Sequence, residues 1–463
     1  MIIKRKTLYA PGKKELRLQT EDFIKKQITD YIENKKEKYI ELSDKIWELA
    51  EPKFQEYESS KLQQQILAEE GFTIKNNLAG METAFVASYG SGYPVIGILG
   101  EFDALPGLSQ VAGVDEQEAL ESGACGHGCG HNLLGTAGVF AAVAVKEYLQ
   151  NQEQEIQKES QTDSQCTAQK SGTIRYYGCP GEEGGAGKAF MVREGCFEDV
   201  DICISWHPGS FDACAAKTVA NIHVTYEFNG VSSHASAAPE FGRSALDAAE
   251  LMNVGVNYLR EHVTSDVRMH YAFTDAGGIA PNVVPAHAEM VYAIRANTTQ
   301  MTKEVYERVN KIAEGAAMMT ETEVKIKPFS AYANVLENVT LDQLAKRSME
   351  KCVGLAGLDE DISKVDSMIS TDVGDVSWNV PTACFYLTTA SEGTQLHTWQ
   401  MTAQGKSEKA HAGMVNAAKV MAEMAAELME HPELVEKSVA DFRKAKGEMQ
   451  YECLIPVDVK PGE

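Results

Sequence analysis

Pro94-Val-Ile-Gly-Ile-Leu-Gly-Glu-Phe102 is the stretch on which the reading of the fold turns. Its apolar, β-branched run is of the kind buried on both faces of a parallel or mixed sheet. Two more core strands are expected at Thr173–Cys179 and Asp201–Trp206. Between the first two, the Ala/Val/Leu-rich stretch from His131 to Leu149 reads as a helix packed on the sheet. Strand-then-helix alternation predicts an α/β sandwich. Upstream, Glu21–Glu69 is Glu/Lys-rich with helical spacing at Ile40, Leu42, Ile46 and Leu49, as in amphipathic helices with a solvated charged face.

The rhythm changes between Thr218 and Ser330. A strand (Val219–Phe228), a helix (Ser244–Arg260), two strands (near His270–Phe273 and Glu289–Arg295), a helix (Lys303–Met319) and a strand (Glu323–Pro328) give the order β-α-β-β-α-β. That order is the ferredoxin-like split unit. After it, Leu341–Val353 reads as helix, Thr382–Leu387 as strand and Ser407–Met429 as a long Ala/Met-rich helix. The expected fold class is therefore α/β, with a discontinuous domain (1–217 and 331–463) interrupted by a small α+β domain (218–330). Gln152–Gly172 is polar and without period, and is expected to be a mobile surface insertion with no part in the chemistry.

Composition narrows the function classes. A chain of 463 residues with 44% hydrophobic and 24% charged residues suggests two or three globular domains. Lys plus Arg number 43 against 67 Asp plus Glu, a formal charge of −24, so neither nucleic acid nor an anionic membrane is an expected partner. A local cationic pocket would still admit an anionic small molecule. The longest nearly apolar run, Leu133–Val145, falls short of the roughly 20 residues that span a bilayer, and the N-terminus has no secretory apolar region. Ten cysteines do not make a disulfide scaffold, and Cys179, Cys203 and Cys384 in strand-like runs read as buried thiols. The expected location is cytoplasmic.

The densest polar constellation is Cys125-Gly-His127-Gly-Cys129-Gly-His131-Asn132. Its four soft or borderline donors suit Zn²⁺ or a similar ion, but they are too close in sequence to form one closed cage. Two of them binding, with further ligands from distant segments, is the fitting arrangement. The plainer alternative is a Gly-rich turn, which needs the glycines but not four ligand-type residues. Glu182-Glu183 follows the second core strand, and adjacent carboxylates point in different directions. One can bind metal while the other serves as general base; alone, the pair would read as a solvated acidic turn. His207 ends the third strand and Asp103 ends the first. Their gathering at one sheet edge favours a site, since open α/β sheets bind ligands there.

With these residues in view, the sequence resembles the M20 metallopeptidases, in the amidohydrolase branch that contains p-aminobenzoyl-glutamate hydrolases and N-acyl amino acid hydrolases. The matching segments are GEFDALPG, GHGCGHN, GEEGGAGK, SWHPG, NGVSSHASAAPEFGRSALDA, GGIAPNVVPAHAE, TDVGDVSW and GTQLHTWQ, in family order over most of the chain. TDVGDVSW and LHTWQ are most similar to the large-subunit (B-subunit) type of p-aminobenzoyl-glutamate hydrolase.

The resemblance implies a zinc-peptidase-like α/β/α catalytic domain with an inserted lid and dimerisation domain. It also implies two divalent ions per chain, Zn²⁺ or Mn²⁺. Cys129 and His131 match the metal-binding C-x-H pair, with Cys129 a bridging thiolate. Glu183, His207 and His397 match further ligands, Glu182 the general base, and Asp103 the carboxylate that orients a ligand. His234 matches a residue that reaches the partner subunit's active site, and Asn282 and Arg295 match substrate-holding positions. A surface ion pair is the plainer reading of Arg295 taken alone.

Cys125 and His127 fall outside the ligand pattern, and His223, His262, His270, His287, His411 and His431 read as structural or exposed. Two departures stand out. Asn132 replaces the Asp of many relatives and is left a hydrogen-bonding role, and Glu101 stands where other members carry a ligating His.

The implied function is amide cleavage of a small N-acyl amino acid such as p-aminobenzoyl-glutamate, by a water that Glu182 deprotonates at the metal. The substrate's free carboxylate would dock on Arg295. A homodimer that shares sites is implied, with a second related subunit as a further partner. Two alternatives are a dipeptidase acting on a cationic or β-amino dipeptide, and a non-catalytic metal-binding homologue. The latter should lack a ligand or Glu182, and the sequence lacks neither.

Overall fold

The computed structural model of the protein describes residues 12–160, 172–215, 217–358 and 369–462. In chain order the strands are β1 (Thr73–Asn76), β2 (Phe85–Ser91), β3 (Val95–Gly100), β4 (Gly172–Gly178), β5 (Ile202–Gly209), β6 (Ala220–Asn229), β7 (Arg268–Asp275), β8 (His287–Ala296), β9 (Glu323–Tyr332) and β10 (Thr382–Thr388). The helices are α1 (Gly12–Leu49), α2 (Tyr57–Glu69), α3 (His131–Ser160), α4 (Glu182–Gly185), α5 (Gly187–Arg193), α6 (Ala245–Leu259), α7 (Thr299–Thr320), α8 (Val339–Val353), α9 (Val373–Ser377), α10 (Trp399–Gln404), α11 (Glu408–Glu430) and α12 (Pro432–Lys446).

The first sheet runs β1-β2-β4-β3-β5-β10. Strands β4, β3, β5 and β10 are mutually parallel, so their carboxyl ends share one edge, while β1 and β2 pair antiparallel at the other side. The apolar run at 94–102 is explained by burial on both faces. Ile96 and Ile98 join a core shared with α1, α3, α8 and α11 (Ile46, Phe140, Leu344, Val420), while Leu99 joins a second core with Phe190 and Val373. Burying each such side chain contributes roughly 1.5–3 kcal/mol.

The second sheet runs β7-β8-β6-β9, all antiparallel. Residues alternate along β6 and β8, and one face packs Val224, Tyr226, Met290 and Tyr292 against Met252 and Val256 of α6 and Val305 and Val309 of α7. This is the β-α-β-β-α-β unit expected from the sequence, in ferredoxin-like strand order. Ile222 of β6 and Ala331 and Tyr332 of β9 leave that core for the second core of the large sheet, which joins the two units.

Three expectations change. The polar stretch from Gln152 continues α3 as far as Ser160, because Glu, Gln and Lys are good helix formers even without an apolar face; the remainder, 161–171, lies outside the described residues. β5 runs on to Gly209, so His207 sits within the strand. β1, β2 and α12 have no counterpart among the expected elements. Among the described residues no helix is long and apolar enough to cross a membrane.

Candidate metal centre

The parallel edge gathers the chemistry. β3 ends at Gly100 and delivers Glu101 and Asp103; α3 opens at His131, two residues after Cys129. β4 leads into the Glu182–Gly185 turn, β5 carries His207, and the segment after β10 carries His397. Gly130, between the paired donors, has φ +74°, and a Cβ there would come within 2.8 Å of Pro208. Only glycine fits that reversal. His397 itself has φ +60°, a strained value for a residue with a side chain, and its backbone N–H donates to Gly128 O at 2.8 Å. That bond ties the distant loop to the Cys129 turn.

Hydrogen bonds select the free nitrogen of each ring. His131 Nδ1 lies 2.9 Å from Asp103 Oδ1, which leaves Nε2 bare and 3.2 Å from Glu101 Oε2. His207 Nδ1 donates to Pro208 O at 2.7 Å, which turns Nε2 to Cys129 Sγ at 3.5 Å. His397 Nε2 lies 3.1 Å from Glu183 Oε1, and Asp103 Oδ2 accepts the Glu183 backbone N–H at 2.8 Å. The adjacent carboxylates diverge as expected, since Glu182 Oε2 faces His131 Nε2 at 4.0 Å.

Three donor groups result, each with its ligand atoms within 4.8 Å of one another: Cys129, His131 and His207; Cys129, Glu183 and His397; Glu101, His131 and Glu182. Cys129 is common to the first two. Buried atoms without a hydrogen-bond partner cluster here, namely Glu101 Oε2, His131 Nε2 and Glu183 Oε1. Such orphans call for an ion or water, so the residues present fit a metal-binding site, with Cys129 common to two of the donor groups.

Burial, with Glu101 and Glu183 close by, pushes the Glu182 carboxyl well above the usual range. Burial pushes the Cys129 thiol up, reinforced by Glu183. Burial alone would lower His131, but Cys129 and Asp103 outweigh it and hold the ring well above its ordinary value. His207, half-buried, is pushed down to about 4 by loss of solvent and by the neighbouring His131, and stays neutral. A divalent cation would reverse the preferences of Cys129 and His131, favouring thiolate and neutral imidazole.

The donors open on a cavity of about 670 Å³ lined by Cys129, Glu182, Glu183, His207, His397 and Arg295, among others. Arg295 is half-buried on β8, with Nη1 3.4 Å from Ser370 Oγ. Asp103 stands behind the donors, fully buried. His234 and Asn282 are not part of this wall; they lie together on the four-stranded unit, where Ala235 N–H donates to Asn282 O. His127 is buried and bonded to Ile46 O, and Asn132 donates to Ser43 Oγ and Gly405 O.

Some neighbours carry no signal in the sequence. His223, read there as structural or exposed, lines the cavity, because β6 and β8 turn their second face to it. Tyr332 also lines the cavity and donates its hydroxyl to Glu182 O at 2.9 Å. Lys188 and Asp372 sit in the quoted GEEGGAGK and TDVGDVSW segments, yet only folding brings them together, at 2.5 Å.

The family described as Peptidase dimerisation domain matches residues 214–318. The B-type subunit of p-aminobenzoyl-glutamate hydrolase from Escherichia coli is 39% identical over 94% of this chain and 98% of its own. Xaa-Arg dipeptidase of Mus musculus is 28% identical over 91% and 93%. Among solved structures, a dinuclear metal-binding peptidase of the M20 family from Bacillus subtilis superposes with a TM-score of 0.58 at 18% identity, covering 86% of this chain and 99% of its own.

Proposed function

The chain belongs to the M20 family of metal-dependent amidohydrolases and peptidases, and from that premise we propose that it cleaves the amide bond of small N-acyl amino acids, p-aminobenzoyl-glutamate foremost. The observation that carries this reading is the sharing of Cys129 by two donor groups on the wall of a cavity that also holds Glu182 and Arg295. Cys129, His131 and His207 would hold one divalent ion, and Cys129, Glu183 and His397 the other, Zn²⁺ or Mn²⁺. The ions, when bound, supply Lewis-acid polarisation of the amide carbonyl and acidify a water.

Glu182 removes that water's proton and returns it to the departing amine, a double task suited to a carboxyl whose pKa burial has raised. Asp103 fixes the His131 ring. Arg295 offers a guanidinium fork to the substrate carboxylate. His234 and Asn282 stand away from their own cavity, which supports their acting in trans. In this reading the partner subunit's His234 donates to the oxyanion that forms as water adds to the carbonyl.

Residues 218–330 are accordingly proposed as the lid and dimerisation unit, between catalytic segments 1–217 and 331–463. The assembly is a homodimer, alone or with a second related subunit, the E. coli relative being named as one of two subunit types. A cytoplasmic setting suits a site that needs Cys129 as a reduced thiolate.

The likeness to Xaa-Arg dipeptidase favours a second reading, a dipeptidase for cationic dipeptides. The two separate on one experiment. Metal-stripped protein reconstituted with Zn²⁺ or Mn²⁺ is offered p-aminobenzoyl-glutamate, other N-acyl amino acids and Xaa-Arg and β-alanyl dipeptides, and amine release is followed. Chelator-sensitive release from the acyl amino acids supports the first reading, release from the dipeptides alone the second, and release from neither contradicts both.

A further inference from the structure

Lys188 is an ammonium group with no exposure at all, and no role above uses it. Its Nζ lies 2.6 Å from Glu101 Oε1 and 2.5 Å from Asp372 Oδ1, and its backbone N–H donates to Asp372 Oδ2 at 2.8 Å. Both carboxylates are as buried as the lysine. Removing three charges from water costs several kcal/mol per ion, and apolar residues of similar volume would often serve stability as well or better. The cluster therefore calls for a role beyond packing.

Geometry supplies one. Lys188 holds one oxygen of Glu101, and the other, Oε2, faces His131 Nε2 at 3.2 Å. That nitrogen is the one Asp103 leaves bare. Neither Oε2 nor Nε2 has a hydrogen-bond partner, although both are buried. A separation of 3.2 Å suits two donors that each sit roughly 2.1 Å from one ion. The sharing of Cys129 also leaves the ion on His131 and His207 short of negative charge, because imidazoles are neutral ligands and the thiolate serves two cations.

We infer that Lys188, anchored on Asp372, is a positioning residue of the metal centre, aiming Glu101 so that its free oxygen becomes a further ligand of the ion held by His131. The inference rests on the metal-centre reading above. Asp372 keeps the ammonium from swinging out with Glu101, and Lys188 keeps Glu101 from turning away.

The test is a zinc titration. Metal-stripped wild-type protein, Glu101→Gln, Lys188→Met and Lys188→Met/Asp372→Asn are each titrated with Zn²⁺ against a chromophoric chelator. Circular dichroism is recorded on the same samples. The double variant removes one positive and one negative charge together, so it tests the lysine without leaving Asp372 unpaired if Lys188→Met alone fails to fold. One of the two dissociation constants should weaken by roughly 10–100-fold in Glu101→Gln and in the double variant, with the other constant and the spectrum held. Folded variants that bind both ions with wild-type constants would reduce Lys188 to a structural ion pair and overturn the inference. A wild-type protein that binds no Zn²⁺ would instead remove the metal centre on which it rests.

Discussion

Asp103 holds His131 Nδ1 at 2.9 Å with one carboxylate oxygen, and so decides which nitrogen of the ring is left for an ion. Its second oxygen takes the backbone N–H of Glu183, which couples the two donor groups through one side chain. An amide in its place cannot accept at both positions. Asp103→Asn should therefore weaken metal binding by roughly 10–100-fold, with activity partly recovered in excess metal. Unchanged affinity in a chelator competition would contradict the orienting role.

Glu182 and Glu183 are neighbours in sequence with different partners, His131 and His397. Glu182→Gln should lower kcat by roughly 10²–10⁴-fold while both ions stay bound. Loss of an ion, read by elemental analysis of the purified variant, would exchange the roles of the two glutamates.

His223 gives stability a pH dependence. Burial and the charges of Arg295 and Lys53 push its pKa down to about 4, against 6.5 for an unperturbed ring. Between those values the unfolded chain binds a proton that the folded chain does not, so stability is fully present above about 6.5 and falls as pH drops towards about 4. The ceiling is roughly 3 kcal/mol, less for a ring that keeps some exposure. Urea midpoints of His223→Gln should fall less steeply than those of the wild type over this window, and parallel curves would contradict the assignment.

The pair His234 and Asn282, set apart from the cavity, makes a prediction about assembly. Mixing His234→Ala chains with Glu182→Gln chains should restore partial activity, because a mixed dimer contains one cavity with an intact Glu182 facing an intact His234. Mixtures as inactive as the separate variants would count against a role in trans.

How much of this was legible in the sequence follows from the range of each interaction. The 94–102 run and the alternation between 218 and 330 are local patterns, and they became β3 and the four-stranded unit with shifts of a few residues at most strand and helix ends. The candidate donors stood out because Cys and His are scarce in this chain and Cys129 and His131 share one short Gly-rich run. Glu101 stands out in the sequence only as a departure from a pattern, since nothing local reports that Lys188 grips it. Asp372 meets Lys188 across 184 residues, and His223 reaches the cavity only because the second face of its sheet turns inward. The helical end of α3 is hidden because an exposed polar segment carries no apolar period.

In the proposed reading, amide cleavage depends on two ions sharing Cys129. Titrating metal-stripped protein with Mn²⁺ or Zn²⁺ while following amine release from p-aminobenzoyl-glutamate tests it most directly. The stripped protein should release no amine, and release should rise and saturate at two equivalents per chain. Full activity without added metal, or saturation at a single equivalent, would contradict it.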